Sequence, residues 1–131
     1  MATGLLDTSV VIDWDDPAVQ RSLPASVSIS AISVAELAAG PILASEIAER
    51  SSRQARLQQV ESTFDPLPFD AAAARSFALV VAAAASAGRG HRSRMADLLI
   101  AATAHAHGLA LYTRNPDDFR GLEGLVAVIA V

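Results

Sequence analysis

A chain of 131 residues, 52% hydrophobic and 18% charged, has the size of one domain (1–131) and the means to bury a core without disulfides or a structural metal. Its ten basic residues are all arginine, and fourteen acids bring the formal charge to −4. That balance argues against a general nucleic-acid coat protein and leaves room for a basic rim around an acidic pocket. No apolar run reaches the ~18 residues of a membrane span, the start "MATGLLDTSVVIDW" lacks a basic leader region, and there is no cysteine. These features together predict a cytoplasmic protein.

"TGLL" (3–6) reads as a short buried strand, and "DTSVVIDW" begins a helix with three capping types, Asp7, Thr8 and Ser9. "VSISA" (27–31) alternates as a second strand. "SVAELAAG" (33–40) offers Ser33 as N-cap with Glu36 three residues on, the capping-box pattern, and Gly40 and Pro41 are expected to break or kink the chain. Residues 42–62 repeat apolar positions near 3.6 with arginines on the other face, an amphipathic helix that suits packing on its own core as well as it suits a partner groove. "TFDPLPFD" is an extended crossing. Asp70 then caps a long alanine-rich helix that ends at Gly88. "RGHRSRM" is an exposed loop, "ADLLIAATAHAHG" a helix closed by Gly108, "LALYT" a strand, "RNPDDF" a turn and "VAVIAV" a last strand. Strands separated by helices imply an α/β fold, with a parallel sheet covered on both faces.

Ligands of open parallel sheets sit beyond the carboxyl ends of the strands. Asp7 follows the first strand, Glu36 is on the helix after the second, and Asp117 and Asp118 lie in the turn after "LALYT". If the helix that Asp97 opens starts at the same edge, four acidic positions converge. Crowded carboxylates raise one another's pKa, and either shared protons or a shared cation relieves them. An all-oxygen set without His or Cys suits Mg²⁺ or Mn²⁺, shared by Asp7 and Asp97. Taken singly, each acid also has a plainer role. Asp7 and Asp97 can serve helix N-termini, Glu36 can complete a capping box, and Asp117 and Asp118 can solvate a turn.

"LLDTSVVID", "ISVAELAAG", "RMADLLIAATAHAHGLALYTRNPDDF" and the closing "VAVIAV" together resemble the PIN-domain ribonucleases, specifically the VapC toxins of bacterial toxin–antitoxin pairs. The resemblance runs the length of the chain. It implies a three-layer α/β/α PIN-like domain and a Mg²⁺-dependent endoribonuclease that activates water. Carried over by position, it implies acidic catalytic residues at Asp7, Glu36, Asp97 and Asp118. Asn115 and Asp118 match the family's "TRNxxDF" pattern, Asp117 is an extra acid in a variable slot, and Thr8 and Thr113 match small hydroxyl residues that support the pocket. The resemblance also implies a VapB-type antitoxin whose C-terminal part plugs the site, and a homodimer or a heterotetramer with that antitoxin.

RNA phosphates need cations, and Arg89, Arg92, Arg94 and Arg114 flank the acidic segments. With one Trp, one Tyr and four Phe, extensive base stacking is not expected. His105 and His107 lie too far along their helix to reach the acids. An aspartyl phosphatase is disfavoured because Ser9 stands at the second Asp of its motif and the chain has no lysine. The missing lysine also disfavours a phospho-receiver domain. The rival from another class is a catalytically silent PIN-like module that binds RNA or a partner. All four acidic slots are filled, which argues against it.

Overall fold

The computed structural model describes residues 3–131. Four short strands, β1 (Thr3–Leu6), β2 (Ser26–Ile29), β3 (Ala110–Thr113) and β4 (Val128–Ala130), pair in the order β2-β1-β3-β4. Every pairing is parallel. Six helices fill the connections: α1 (Thr8–Ile12), α2 (Pro17–Arg21), α3 (Ala31–Leu43), α4 (Ile47–Thr63), α5 (Ala71–Ser86) and α6 (Met95–His107). The arrangement is the expected three-layer α/β/α fold around a central parallel sheet.

Side chains alternate across a strand, so β1 sends Leu5 and Leu6 to opposite faces. Leu5 enters a core with Val80, Ala84, Leu98, Ala101, Ala104, Leu111 and Phe119, beneath α5 and α6. Leu6 enters a second core with Val10, Val11, Ile29, Leu37, Leu57 and Val60, beneath α1, α3 and α4. Ala101, Ala102 and Ala104 of α6 are fully buried, and their small side chains let the helix lie close on its neighbours. A Cβ at Gly4 would collide with the Tyr112 ring, so β1 has to carry glycine where that ring lies over it.

Several boundaries differ from the sequence reading: α2 has no counterpart in it, β4 is shorter than "VAVIAV", and the helix expected over 42–62 starts at Ile47 because α3 extends to Leu43. Three differences have a tertiary reason. β2 stops at Ile29 because the extended crossing comes in beside it. Leu67 N–H donates to the Ile29 carbonyl at 2.9 Å, and Ala31 N–H donates to the Leu67 carbonyl at 2.8 Å. Ser30, freed from the strand, is the N-cap of α3, and its hydroxyl accepts from Ser33 N–H at 3.2 Å. Ser33 is therefore not the cap, and Glu36 belongs to no capping box. Nor does the chain break at Gly40 and Pro41, because α3 runs through both to Leu43. Proline removes one amide donor, the one that would meet the Leu37 carbonyl four residues earlier. The Gly40 carbonyl, among the last of the helix, accepts from Arg53 Nη1 at 2.8 Å.

Other expectations hold closely. Asp70 caps α5 through Ala73 N–H at 3.0 Å, and Gly108 ends α6 in the left-handed conformation at φ 64°. Trp14 packs edge-on against Phe64 in the second core. His105 Nδ1 shares a 2.8 Å hydrogen bond with the Ser76 hydroxyl, which ties the end of α6 to α5. No helix among the described residues is long and apolar enough to cross a membrane.

Candidate active site

The carboxyl ends of β1 and β3 lie side by side, with Leu6 paired to Tyr112. Asp7 is the first residue beyond β1, and its N–H donates to the Tyr112 carbonyl at 2.8 Å. This pairing sets Asp7 next to Thr113. Asp7 is 4% exposed, and its Oδ2 accepts from Ser9 Oγ at 2.7 Å and from Thr113 Oγ1 at 2.9 Å. Both hydroxyls are fixed in turn, since Arg114 N–H donates to Ser9 Oγ and Asn115 N–H to Thr113 Oγ1, each at 3.0 Å. Asp7 occupies the N-cap position of α1, yet its carboxylate makes no capping bond. The plain N-cap reading does not describe its side chain.

Glu36 lies within α3, and its Oε1 accepts from Thr8 Oγ1 at 2.7 Å. Thr8 also shares a 2.8 Å hydrogen bond with the buried Ser33 hydroxyl. One hydroxyl thus anchors each of two acids, Thr113 on Asp7 and Thr8 on Glu36. Ser9 and Ser33 complete these anchors and escaped the sequence reading. Two capping types directly after Asp7 look like helix punctuation, so nothing in "DTSV" marks Ser9 as a donor to a carboxylate two residues back.

Asp97 is on the first turn of α6, half-buried, and its side chain has no hydrogen-bond partner among the described residues. Its carboxyl is pushed up from 3.8 to about 6, first by burial and then by the negative charges of Asp7, Asp118 and Glu36, against the pull of Arg94. Three acids distant in sequence therefore act on a fourth through space. Asp118 sits on a short 3₁₀ turn, Pro116–Phe119, where Arg94 Nη1 lies 3.5 Å from its Oδ1 and donates to its carbonyl at 3.1 Å. Asp117 is exposed on the same turn and is not among the charges acting on Asp97. The Asn115 side chain is exposed, without a partner among the described residues.

Arg89 Nη1 donates to the carbonyls of Asp117 at 2.6 Å and Arg120 at 3.2 Å, buttressing the turn. Arg114 Nε lies 3.5 Å from Asp13 Oδ2. Arg92 is exposed and has no such partner among the described residues. Three of the four arginines expected to meet phosphate thus have internal partners at this rim.

Among the described residues no three His, Cys, Asp or Glu side chains are arranged to hold a metal ion by themselves. Mg²⁺ does not demand that many, because it commonly takes one or two carboxylates and keeps several waters. Asp97 has both oxygens uncommitted, and Asp7 Oδ1 is uncommitted while Oδ2 is locked. The donors are carboxylate oxygens only, so the chemistry of the set fits a hard divalent cation.

A family model described as PIN domain matches residues 4–125. Ribonuclease VapC5 of Mycobacterium tuberculosis is 36% identical over 129 residues, covering 97% of this chain and 93% of that protein. The fold is similar to that of VapBC-5 from the same species, a member of the VapBC family of toxin–antitoxin systems, with a TM-score of 0.86 at 36% identity over 100% of both chains. FitAcB of Neisseria gonorrhoeae is similar at a TM-score of 0.76 and 34% identity, over 95% of each chain.

Proposed function

The chain belongs to the PIN domain family and, within it, to the VapC ribonucleases, and from that premise we propose that it is a cytoplasmic toxin and a divalent-metal-dependent endoribonuclease. The observation that carries this reading is Asp97. Its half-buried carboxyl lies among three other acids, is pushed up to about 6 and has no hydrogen-bond partner among the described residues, a strain that a bound cation would relieve.

Asp7 and Asp97 would hold Mg²⁺, or Mn²⁺ in its place. Bound there, the ion supplies positive charge against a phosphodiester and acidifies water. The chain's own groups do the rest. Ser9 and Thr113 fix one oxygen of Asp7, so that the other points in one direction only. Thr8 fixes one oxygen of Glu36 and leaves Oε2 to accept a proton from an attacking water. Arg94 steadies the turn that bears Asp118. Asn115 and Asp117, exposed on that turn, are assigned a supporting place beside incoming RNA, and Arg92 and Arg114 a phosphate-facing one.

A VapB-type antitoxin is the proposed partner, on the precedent of the toxin–antitoxin neighbours. The apolar surface between α3 and α4 supports a protein partner. Ile42, Leu43 and Ile47 are 83%, 76% and 81% exposed there. Large apolar side chains clustered on one face mark interaction sites. A homodimer, or a heterotetramer with the antitoxin, would cover them.

The test is cleavage of a structured RNA by the full chain with Mg²⁺, with EDTA, and as Asp7→Asn and Asp97→Asn. Each aspartate variant should lose activity by on the order of 10²–10³-fold, the usual cost of removing one charge-stabilising group, and EDTA should abolish it. RNA binding without cleavage in every arm would instead favour the silent binding module.

A further inference from the structure

Taken as whole residues, four arginines are half-buried: Arg53, Arg56, Arg89 and Arg94. Three have partners. Arg53 pairs with Glu49 and bonds the Gly40 carbonyl, Arg89 bonds two carbonyls, and Arg94 holds Asp118. Arg56 has neither a hydrogen bond nor an ion pair among the described residues. A guanidinium carries five N–H donors in a planar fork, and partial burial withdraws some of the water that would otherwise satisfy them. Such a group is matched by the two oxygens of a phosphate.

Its surroundings say where that phosphate comes from. Arg56 lies one turn beyond Arg53 on α4, and the two face the same way. It lines a hollow of about 330 Å³ together with Thr8, Glu36, Leu37 and Arg53. Thr8 and Glu36 are the hydroxyl–acid pair of the candidate active site, so this hollow opens directly from it. Arg56 and Ile12 also line a second hollow of about 240 Å³, which contains Trp14, Asp15 and Gln59. Arg56 therefore stands on the ridge between the acidic site and a hollow with an aromatic wall.

We propose that Arg56 is a substrate-contacting residue, which binds a phosphate flanking the scissile one and leads single-stranded RNA from Glu36 along α4 towards Trp14. The proposal rests on the ribonuclease reading and adds a path to it. The path runs on the α3–α4 side, away from the rim where Arg89 and Arg94 are occupied. A single strand suits it, because phosphate on Arg56 and a base against Trp14 require no duplex geometry.

The experiment measures binding of a short fluorescein-labelled single-stranded RNA of mixed sequence to the full chain in EDTA, by anisotropy, across a salt series. Each phosphate contact on a single strand contributes about 0.7 to the slope of log affinity against log salt. Arg56→Gln should lower the slope by that amount and weaken binding about fivefold at ~0.1 M salt. Arg56→Lys, which keeps the charge and the fold, should retain most of the slope. An unchanged slope in Arg56→Gln overturns the proposal, as does a wild-type chain that fails to bind this RNA. An oligoglutamate peptide is run in parallel. If Arg56→Gln weakens that peptide and leaves RNA untouched, the hollow belongs to an acidic protein segment and the proposal falls. Cleavage of the same RNA with Mg²⁺ is read separately. Loss of the slope without any cleavage by wild type would retain the path and remove the nuclease.

Discussion

Asp7, at the end of β1, is 4% exposed, and its Oδ2 receives two hydroxyl hydrogen bonds, whereas Asp97, on the first turn of α6, is half-buried and receives none among the described residues. Both are acids at one edge of one sheet. The first is built into the fold, since its amide, its carboxylate and its two donors all belong to a chain of bonds across β1 and β3. The second is left open, at a cost that falls on the protein when no cation is present. In the proposed metal site the two would serve differently, Asp7 as the ligand held in place and Asp97 as the one whose crowding a cation would relieve.

The contrast is broken first at Asp7. Asp7→Ala leaves the buried Thr113 hydroxyl and the half-buried Ser9 hydroxyl without their acceptor, and stability should fall by about 2 kcal/mol, read as a lower urea midpoint at constant m. Removing one donor is milder. Thr113→Val should cost about 1 kcal/mol and lower cleavage about tenfold, one factor of ten per 1.4 kcal/mol of lost alignment. Restoration by Thr113→Ser would show that the hydroxyl matters rather than the shape.

Asp97 should behave with the opposite sign and the smallest size. Its folded-state value, about 6, is above the 3.8 of an unfolded chain, so the folded state prefers the protonated acid. The stability tied to this group is fully present below pH ~4 and is lost as pH rises through ~6. The full shift corresponds to at most about 3 kcal/mol, and solvent screening at a half-exposed site reduces that to about 1 kcal/mol. Metal-free Asp97→Asn should therefore melt a few degrees higher than wild type at pH 7 and no higher at pH 4. A lower melting temperature at both would mean that Asp97 is a structural helix-end acid, and the contrast would collapse.

Much of the fold was legible because local signals and tertiary demands agreed. The first strand matched its reading at both ends, Asp70 capped α5, and the glycine after α6 took the left-handed turn that only glycine adopts at little cost. Disagreement came where a distant segment decided. Ser30 and Ser33 are equally good caps by type, and the choice fell to Ser30 because Leu67 pairs with the chain at that point. Gly40 and Pro41 look like a stop, yet α3 continues to Leu43, and Arg53, thirteen residues on, takes up the Gly40 carbonyl near the end of that helix. Asp7, Glu36 and Asp118 could be placed at one edge because each comes soon after a strand, whereas Asp97 joined them only on the condition that its helix starts at that edge, which no local signal decides. Of the hydroxyls that orient Asp7 and Glu36, Thr8 and Thr113 were expected from the family resemblance, whereas Ser9 and Ser33 were not read in that role. Nor was the distinction legible between an occupied arginine such as Arg89 and an unoccupied one such as Arg56, because a partner 28 residues away leaves no trace in spacing.

The hydroxyl bond from Thr113 to Asp7 joins residues 106 apart in the chain. A ribosome releases the amino end first, so Asp7 emerges long before the residue that clamps it. Until nearly the last strand has been translated, the carboxylate has only Ser9 to steady it. Under the proposed function, a nascent chain that has not yet released Thr113 would lack this clamp on one of its two metal-holding carboxylates.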